Sequence, residues 1–228
     1  MDATRIGGRQ LRDVVGELLQ DPDANQASGT LCRLPPRRVI NPLIRFLHSN
    51  EQPIKWRAVT GLGAVVSALA DNDMTSAREV MRRLMWNLNS ESGGIGWGSA
   101  EAMGEIMANH EGLADEYASI LVSYINEGDN YIENESLQKG VLWALGRLAH
   151  VWPHQVEEGA SLLLPFLTSA DADCRGLAAW TARAIGSDTT KALLSQLKED
   201  TASLQIYIAD KFVTFRVNEL AGGVDHEH

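Results

Sequence analysis

The chain has 228 residues, 44% hydrophobic and 22% charged, with a net charge of −10, which is enough apolar material for a substantial core in an ordinary globular protein. That acidic balance works against non-specific binding to nucleic acid or an anionic membrane, since both need clustered Lys and Arg. With only Cys32 and Cys174 no disulfide framework is expected, MDATRIGGRQLRDVVGELL lacks the unbroken apolar core of a signal peptide, and no run approaches the ~20 apolar residues of a membrane span. The expectation is a soluble cytoplasmic protein.

The elements follow in order. Residues 10–20 read as an amphipathic helix with Leu11, Val14, Val15, Leu18 and Leu19 on one face. Asp21 to Pro36 reads as loop, rich in Asp, Asn, Ser, Gly and Pro. Asn41-Pro42 suits a helix start that runs to about His48. A long helix opens at Ile54, a turn covers Asp71 to Met74, and Ser76 with Glu79 has the spacing of a capping box for a helix ending at Leu88. The link SESGGIG precedes a helix from Ile95, followed by another at about Leu113 to Ile125. After the acidic loop EGDNYIENES comes a helix from Leu137. Pro153 suits the first turn of the next helix, which reaches Leu167 with Pro165 distorting its end. Asp171 is placed to cap the helix at Cys174, and 191–197 with 204–220 form a last helical pair before a frayed tail. No strand is predicted.

Four of these helices repeat one pattern: IKWRAVTGLGAVV from Ile54, IGWGSAEAMGEIM from Ile95, LQKGVLWALGRLA from Leu137 and CRGLAAWTARAIG from Cys174. A weaker copy, LQIYIADKFVTF, starts at Leu204. Each of the four opens on an apolar residue and carries small or apolar residues four, seven, eight and eleven positions on, the spacing of one helix face. The starts lie 41, 42 and 37 residues apart, a period that marks stacked helical pairs. Leu47, Leu88, Leu167 and Leu197 each close the preceding helix seven positions before a start.

These segments resemble the HEAT repeat, in particular its short phycobilisome-lyase-like form, whose pattern runs roughly V-R-x-x-A-A-x-A-L-G-x-I-G. Ala144-Leu145-Gly146 and Leu148 match it, as do Arg175, Ala178, Ala179 and Ile185, with Arg183 in place of the glycine. Ala102-Met103-Gly104 with Ile106, and Gly61-Leu62-Gly63 with Val65, match it too. The resemblance covers Asn41 to about Leu220 and implies an all-α, α-α superhelix of about five helical pairs. A single domain over 1–228 is expected, with a capping helix at 10–20, repeats at 41–70, 75–109, 113–150, 154–186 and 189–220, and a flexible tail at 221–228.

Trp56 and Trp97 occupy the third position of their repeats, and Trp143 and Trp180 the seventh. Those positions share a helix face that the small-residue core does not use. The resemblance implies that the second helix of each pair lines a concave surface, so the four indoles are expected to form an aromatic row along a groove. Glu101, Glu105, Lys139 and Arg147 fall on the same stripe. Against this stands the ordinary use of Trp as a packing residue between helices. Gly93, Gly94, Gly96 and Gly98 are expected at the rim, where backbone amides could cradle an anion or simply permit a sharp turn.

Other constellations carry less. His150 and His154 are four apart near Glu157, but Pro153 interrupts the helix that would align them on a metal. His110-Glu111 is similar to one His-Glu pair of deoxyhypusine hydroxylase, a family that needs several. Asp225-His226-Glu227-His228 is tail, and Cys174 reads as core. The expected function is a non-catalytic scaffold that binds a protein or peptide in its groove, with no cofactor and no metal. The alternative, by resemblance to phycobilin lyases, is a lyase or assembly chaperone for a chromophore. A DNA-alkylation-repair enzyme with HEAT-like repeats needs a basic concave surface, which the net charge of −10 disfavours.

Overall fold

A computed structural model describes residues 7–21, 23–89 and 96–222. By its internal contacts the chain divides into two compact units, Met1–Leu113 and Ala114–His228.

In the first unit, α1 (Gly8–Gln20) buries Leu11, Val15 and Leu19, the stripe its periodicity dictates. The stretch expected as loop contains a helix, α2 (Ala24–Arg33), capped by the Asp23 side chain, which accepts from the Gln26 amide at 3.0 Å. Its polar sequence hides two buried residues, Ala27 and Leu31, and Leu31 packs over Gly61. Next, α3 (Pro36–Phe46) starts earlier than the expected Asn41, because Pro36 is the proline in the first turn while Pro42 lies inside the helix among buried Leu43 and Ile44. The long α4 (Gln52–Ala70) buries Ile54, Ala58, Leu62, Val65 and Leu69 at helical spacing. In α5 (Met74–Leu88) the cap is Asp73, not Ser76: its carboxylate accepts from the Ser76 amide at 3.1 Å and hydroxyl at 2.8 Å. Arg37 and Ser76 together pull the Asp73 carboxyl down to about 2. Helix α6 (Ser99–Asn109) follows, packed on α4 and α5.

Two glycines explain the close approach of helices. A Cβ on Gly63 of α4 would overlap the Glu105 side chain of α6, and one on Gly61 would press on Leu31 and Leu43. The small residues of the repeat are therefore contact surfaces.

The second unit takes in most of α7 (Glu111–Ser123) and all of α8 (Glu135–Ala149), whose Asn134 cap accepts from the Ser136 and Leu137 amides at 3.1 Å. The helix expected from Pro153 to Leu167 is instead two 3-10 segments, Pro153–Gln155 and Glu157–Leu163, ending in a single α-turn, α9 (Leu164–Leu167). Helix α10 (Ala172–Ile185) is capped by Asp171, as its position dictated, with the Cys174 amide donating at 3.0 Å. Gly186 ends it at φ 70°, a left-handed C-terminal residue. After α11 (Asp188–Gln196) the last expected helix is absent. Residues 203–216 form an antiparallel hairpin, β1 (Ser203–Ile208) and β2 (Lys211–Arg216), followed by α12 (Val217–Gly222). Leu204 faces Phe215 and Tyr207 faces Phe212 across it. Ala209 and Asp210, at φ 49° and 61°, make its two-residue turn. The hairpin lies on α10, where a Cβ on Gly176 would overlap Leu204.

Candidate functional site

The four indoles have four different surroundings. Trp56 on α4 is half-buried, with the Lys55 ammonium 5.4 Å from its ring centre. Trp97, just before α6, is 49% exposed. Trp143 and Trp180, by contrast, are 5% and 8% exposed, so no open row of four rings exists. Their burial has identifiable partners. The Trp143 indole N–H donates to the Tyr207 carbonyl of the hairpin at 3.1 Å, and its ring tilts against Trp180 at 6.5 Å between centres. Trp180 fills the space that a side chain on Gly146 would need and stacks on His150 at 4.6 Å. The hairpin covers Trp143, and hydrogen-bonded burial is the usual state of an indole beside a core.

The charged residues of the stripe behave alike. Glu101, 6% exposed, pairs with Lys55 at 2.8 Å and ties α6 to α4. Glu105, 9% exposed, accepts from Asn109 at 3.0 Å. Lys139 bridges α8 to the start of α10 through Asp171 at 2.7 Å and Asp173 at 2.9 Å. Partial burial works against its charge, yet the two carboxylates outweigh that and hold it above the usual lysine range. Asp171 is lowered in turn, with burial opposing and Lys139 and the Cys174 amide favouring the charged form. Arg147 is half-buried.

At the expected rim, Gly93 and Gly94 lie outside the described residues. Gly96 is buried. Gly98 has φ 75°, and a Cβ there would meet the Cβ of Leu47 at 3.0 Å, so both space and backbone require glycine at this α6 N-cap. The histidine pair is not assembled: His150 donates from Nδ1 to the Gly146 carbonyl at 2.8 Å, while His154 lies edge-on to Trp152. The stacked face of His150 is desolvated, and with Arg147 nearby this lowers its pKa although the Gly146 carbonyl favours the proton. Burial pushes the Cys174 thiol up to about 11, which leaves it unreactive. Among the described residues no group of His, Cys, Asp and Glu is arranged to hold a metal ion, and no helix is long and apolar enough to cross a membrane.

One exposed aromatic was not singled out from the sequence. Trp86, near the end of α5, is 74% exposed. Its signal was available, since it follows Arg82 and Arg83 on the helix face opposite Met81, Leu84 and Leu88.

No protein-family model matches the chain. An uncharacterized protein of Archaeoglobus fulgidus is 24% identical over 186 residues, covering 78% of this chain and 91% of that protein. Among solved structures, a designed armadillo repeat protein superposes with a TM-score of 0.58 at 14% identity, over 96% of this chain and 94% of its own. An engineered protein gives 0.52 at 18% identity, over 93% of each chain. A second designed armadillo repeat protein, solved in complex with the peptide (KR)4, gives 0.50 at 16% identity, over 85% of this chain and 93% of its own. These likenesses show the fold class: an all-α solenoid of armadillo-like helical repeats.

Proposed function

We propose that the chain is a non-catalytic scaffold for a protein or peptide partner and that its contact edge is Trp97 with Trp56. The observation that carries this reading is a half-exposed indole at Trp97, with a half-buried one at the equivalent repeat position on α4. The Lys55–Glu101 ion pair links α4, which carries Trp56, to α6, which follows Trp97. An exposed indole is the residue type that anchors partners most often. The peptide held by one of the designed armadillo proteins supports a peptide as occupant of this repeat class. Within this reading the repeats are of the HEAT-like, phycobilisome-lyase-like kind, the two units serve one scaffold, and the protein works in the cytoplasm, in keeping with its free Cys32 and Cys174. No observation favours the chromophore lyase, because Trp143, Glu101 and Glu105 are engaged inside the protein. The test is selection from a random displayed-peptide library on the wild type, followed by titration of selected peptides against Trp97→Ala and Trp56→Ala. A loss of about 10-fold or more in either variant is expected for an anchor worth ~1.4 kcal/mol. Peptides that bind both variants as tightly as the wild type rule this edge out.

A further inference from the structure

The net charge of −10 conceals a basic face. Residues 1–113 hold 12 Lys and Arg against 13 Asp and Glu, whereas residues 114–228 hold 8 against 17, so almost the whole excess of negative charge belongs to the second unit. Within the first unit the arginines are concentrated on α3 and α5. Arg37, Arg38 and Arg45 stand on the first of these helices and Arg78, Arg82 and Arg83 on the second. Two side-chain contacts link these helices: Arg37 with Asp73 at 2.6 Å, and Arg83 with the Asn41 side chain. Asp73 and Glu79 are acids near Arg37, Asp73 is already taken up by Arg37 and its capping role, and the half-buried Arg38 and Arg78 have partners of their own. Arg45 and Arg82 are exposed and have no hydrogen-bond or ion-pair partner among the described residues. Trp86, 74% exposed, lies one turn beyond Arg82 on the same helix face.

We propose that this α3–α5 face docks an acidic peptide segment of a partner protein that carries an apolar residue among its carboxylates. Every cation named on the face is arginine, whose planar fork binds a carboxylate through two parallel hydrogen bonds and is weakly hydrated, so it loses less on contact than lysine does. Trp86 supplies an uncovered ring beside that charge, and an indole bordered by guanidinium groups suits an aromatic or aliphatic side chain flanked by Glu or Asp. A short acidic segment meets only the local arginines. A long polyanion, nucleic acid or a charged membrane, responds to the long-range field of the whole chain, whose net charge of −10 opposes it. Charge complementarity therefore selects the peptide. The proposal rests on other residues than Trp56 and Trp97, and neither reading depends on the other.

The experiment is fluorescence anisotropy of the full chain with three probes: a fluorescein-labelled Glu-rich peptide containing one phenylalanine, a fluorescein-labelled oligothymidylate, and, by co-sedimentation, vesicles of phosphatidylserine and phosphatidylcholine. The expected result is binding of the peptide alone, weakened about 10-fold or more by the pair Arg45→Glu and Arg82→Glu, and several-fold by Trp86→Ala. Both arginines are exposed, so circular dichroism of the double variant should match the wild type. Arg183→Glu, at an exposed site of α10, removes the same kind of charge elsewhere and should leave binding unchanged. No peptide binding, equal binding by the double variant, or tighter binding of the oligonucleotide or the vesicles would each overturn the proposal.

Discussion

Glu101 is a carboxylate with almost no access to water, and its charge is balanced by one side chain, Lys55, itself only 14% exposed. Ion pairs of this kind contribute little net stability, but removing one partner strands the other charge in a poor solvent. Lys55→Met should therefore cost about 2–4 kcal/mol, and Lys55→Met with Glu101→Leu should recover most of it. Urea denaturation of the two variants checks this, and a double variant as unstable as the single one would show that the helices need more than charge balance. His150 gives a second residue-scale expectation. Its pKa is held below the ordinary value, chiefly by desolvation on the face stacked on Trp180, so below about pH 6.5 the unfolded chain takes up a proton that the folded one resists. The effect is kept small because the other side of the ring is exposed to water. Stability is then fully present above that pH and falls as the pH drops toward the lowered folded value. His150→Phe keeps a ring on Trp180 without a titrating group, and it should flatten the pH dependence of the urea midpoint between about pH 7 and pH 5.

At the scale of elements, the hairpin shows what governs the second unit. LQIYIADKFVTF fits a helix through Leu204, Ile208, Phe212 and Phe215, and fits strands through Leu204, Ile206 and Ile208 opposite Val213 and Phe215. Pattern alone leaves both open, and the density of Ile, Tyr, Phe, Val and Thr decides for strands. The turn is the weak point, because Ala209 holds φ 49° without the tolerance of Gly or Asn. Ala209→Asn should raise stability by about 0.5–1 kcal/mol and Ala209→Val should lower it by at least as much, read from thermal unfolding. This ambiguity explains why most of the helices were legible in the sequence and the burial of Trp143 and Trp180 was not. The caps at Asp171 and the buried stripe of α4 follow from spacing within one helix. The burial of Trp143 depends on a strand that reaches it from residue 207, 64 positions away, and no local pattern encodes that contact. Helix α2 was hidden for a related reason: its one large buried side chain, Leu31, is explained only by the space over Gly61.

For the molecule as a whole, charge is unevenly divided: about −1 over residues 1–113 and −9 over residues 114–228. Self-repulsion of this kind opposes a compact state, and salt relieves it once the Debye length falls to about 10 Å near 0.1 M. The exposed loop with Glu127, Asp129 and Glu133 contributes four carboxylates within one short stretch when Glu135 is included, and Glu135 alone is favourably placed, in the first turn of α8. Salt also weakens the pairs Lys139 makes with Asp171 and Asp173, and Arg175 makes with Asp200. Partly exposed pairs contribute at most about 1 kcal/mol each, so relief of repulsion should win. Amide hydrogen exchange at low and at moderate sodium chloride is therefore expected to show protection rising more in the second unit than in the first. Glu127→Gln with Asp129→Asn should reproduce part of that gain without salt, since neither residue caps a helix. If protection in the second unit falls instead, the Lys139 and Arg175 pairs outweigh the repulsion, and the stability of that unit rests on a few specific bridges rather than on its overall charge.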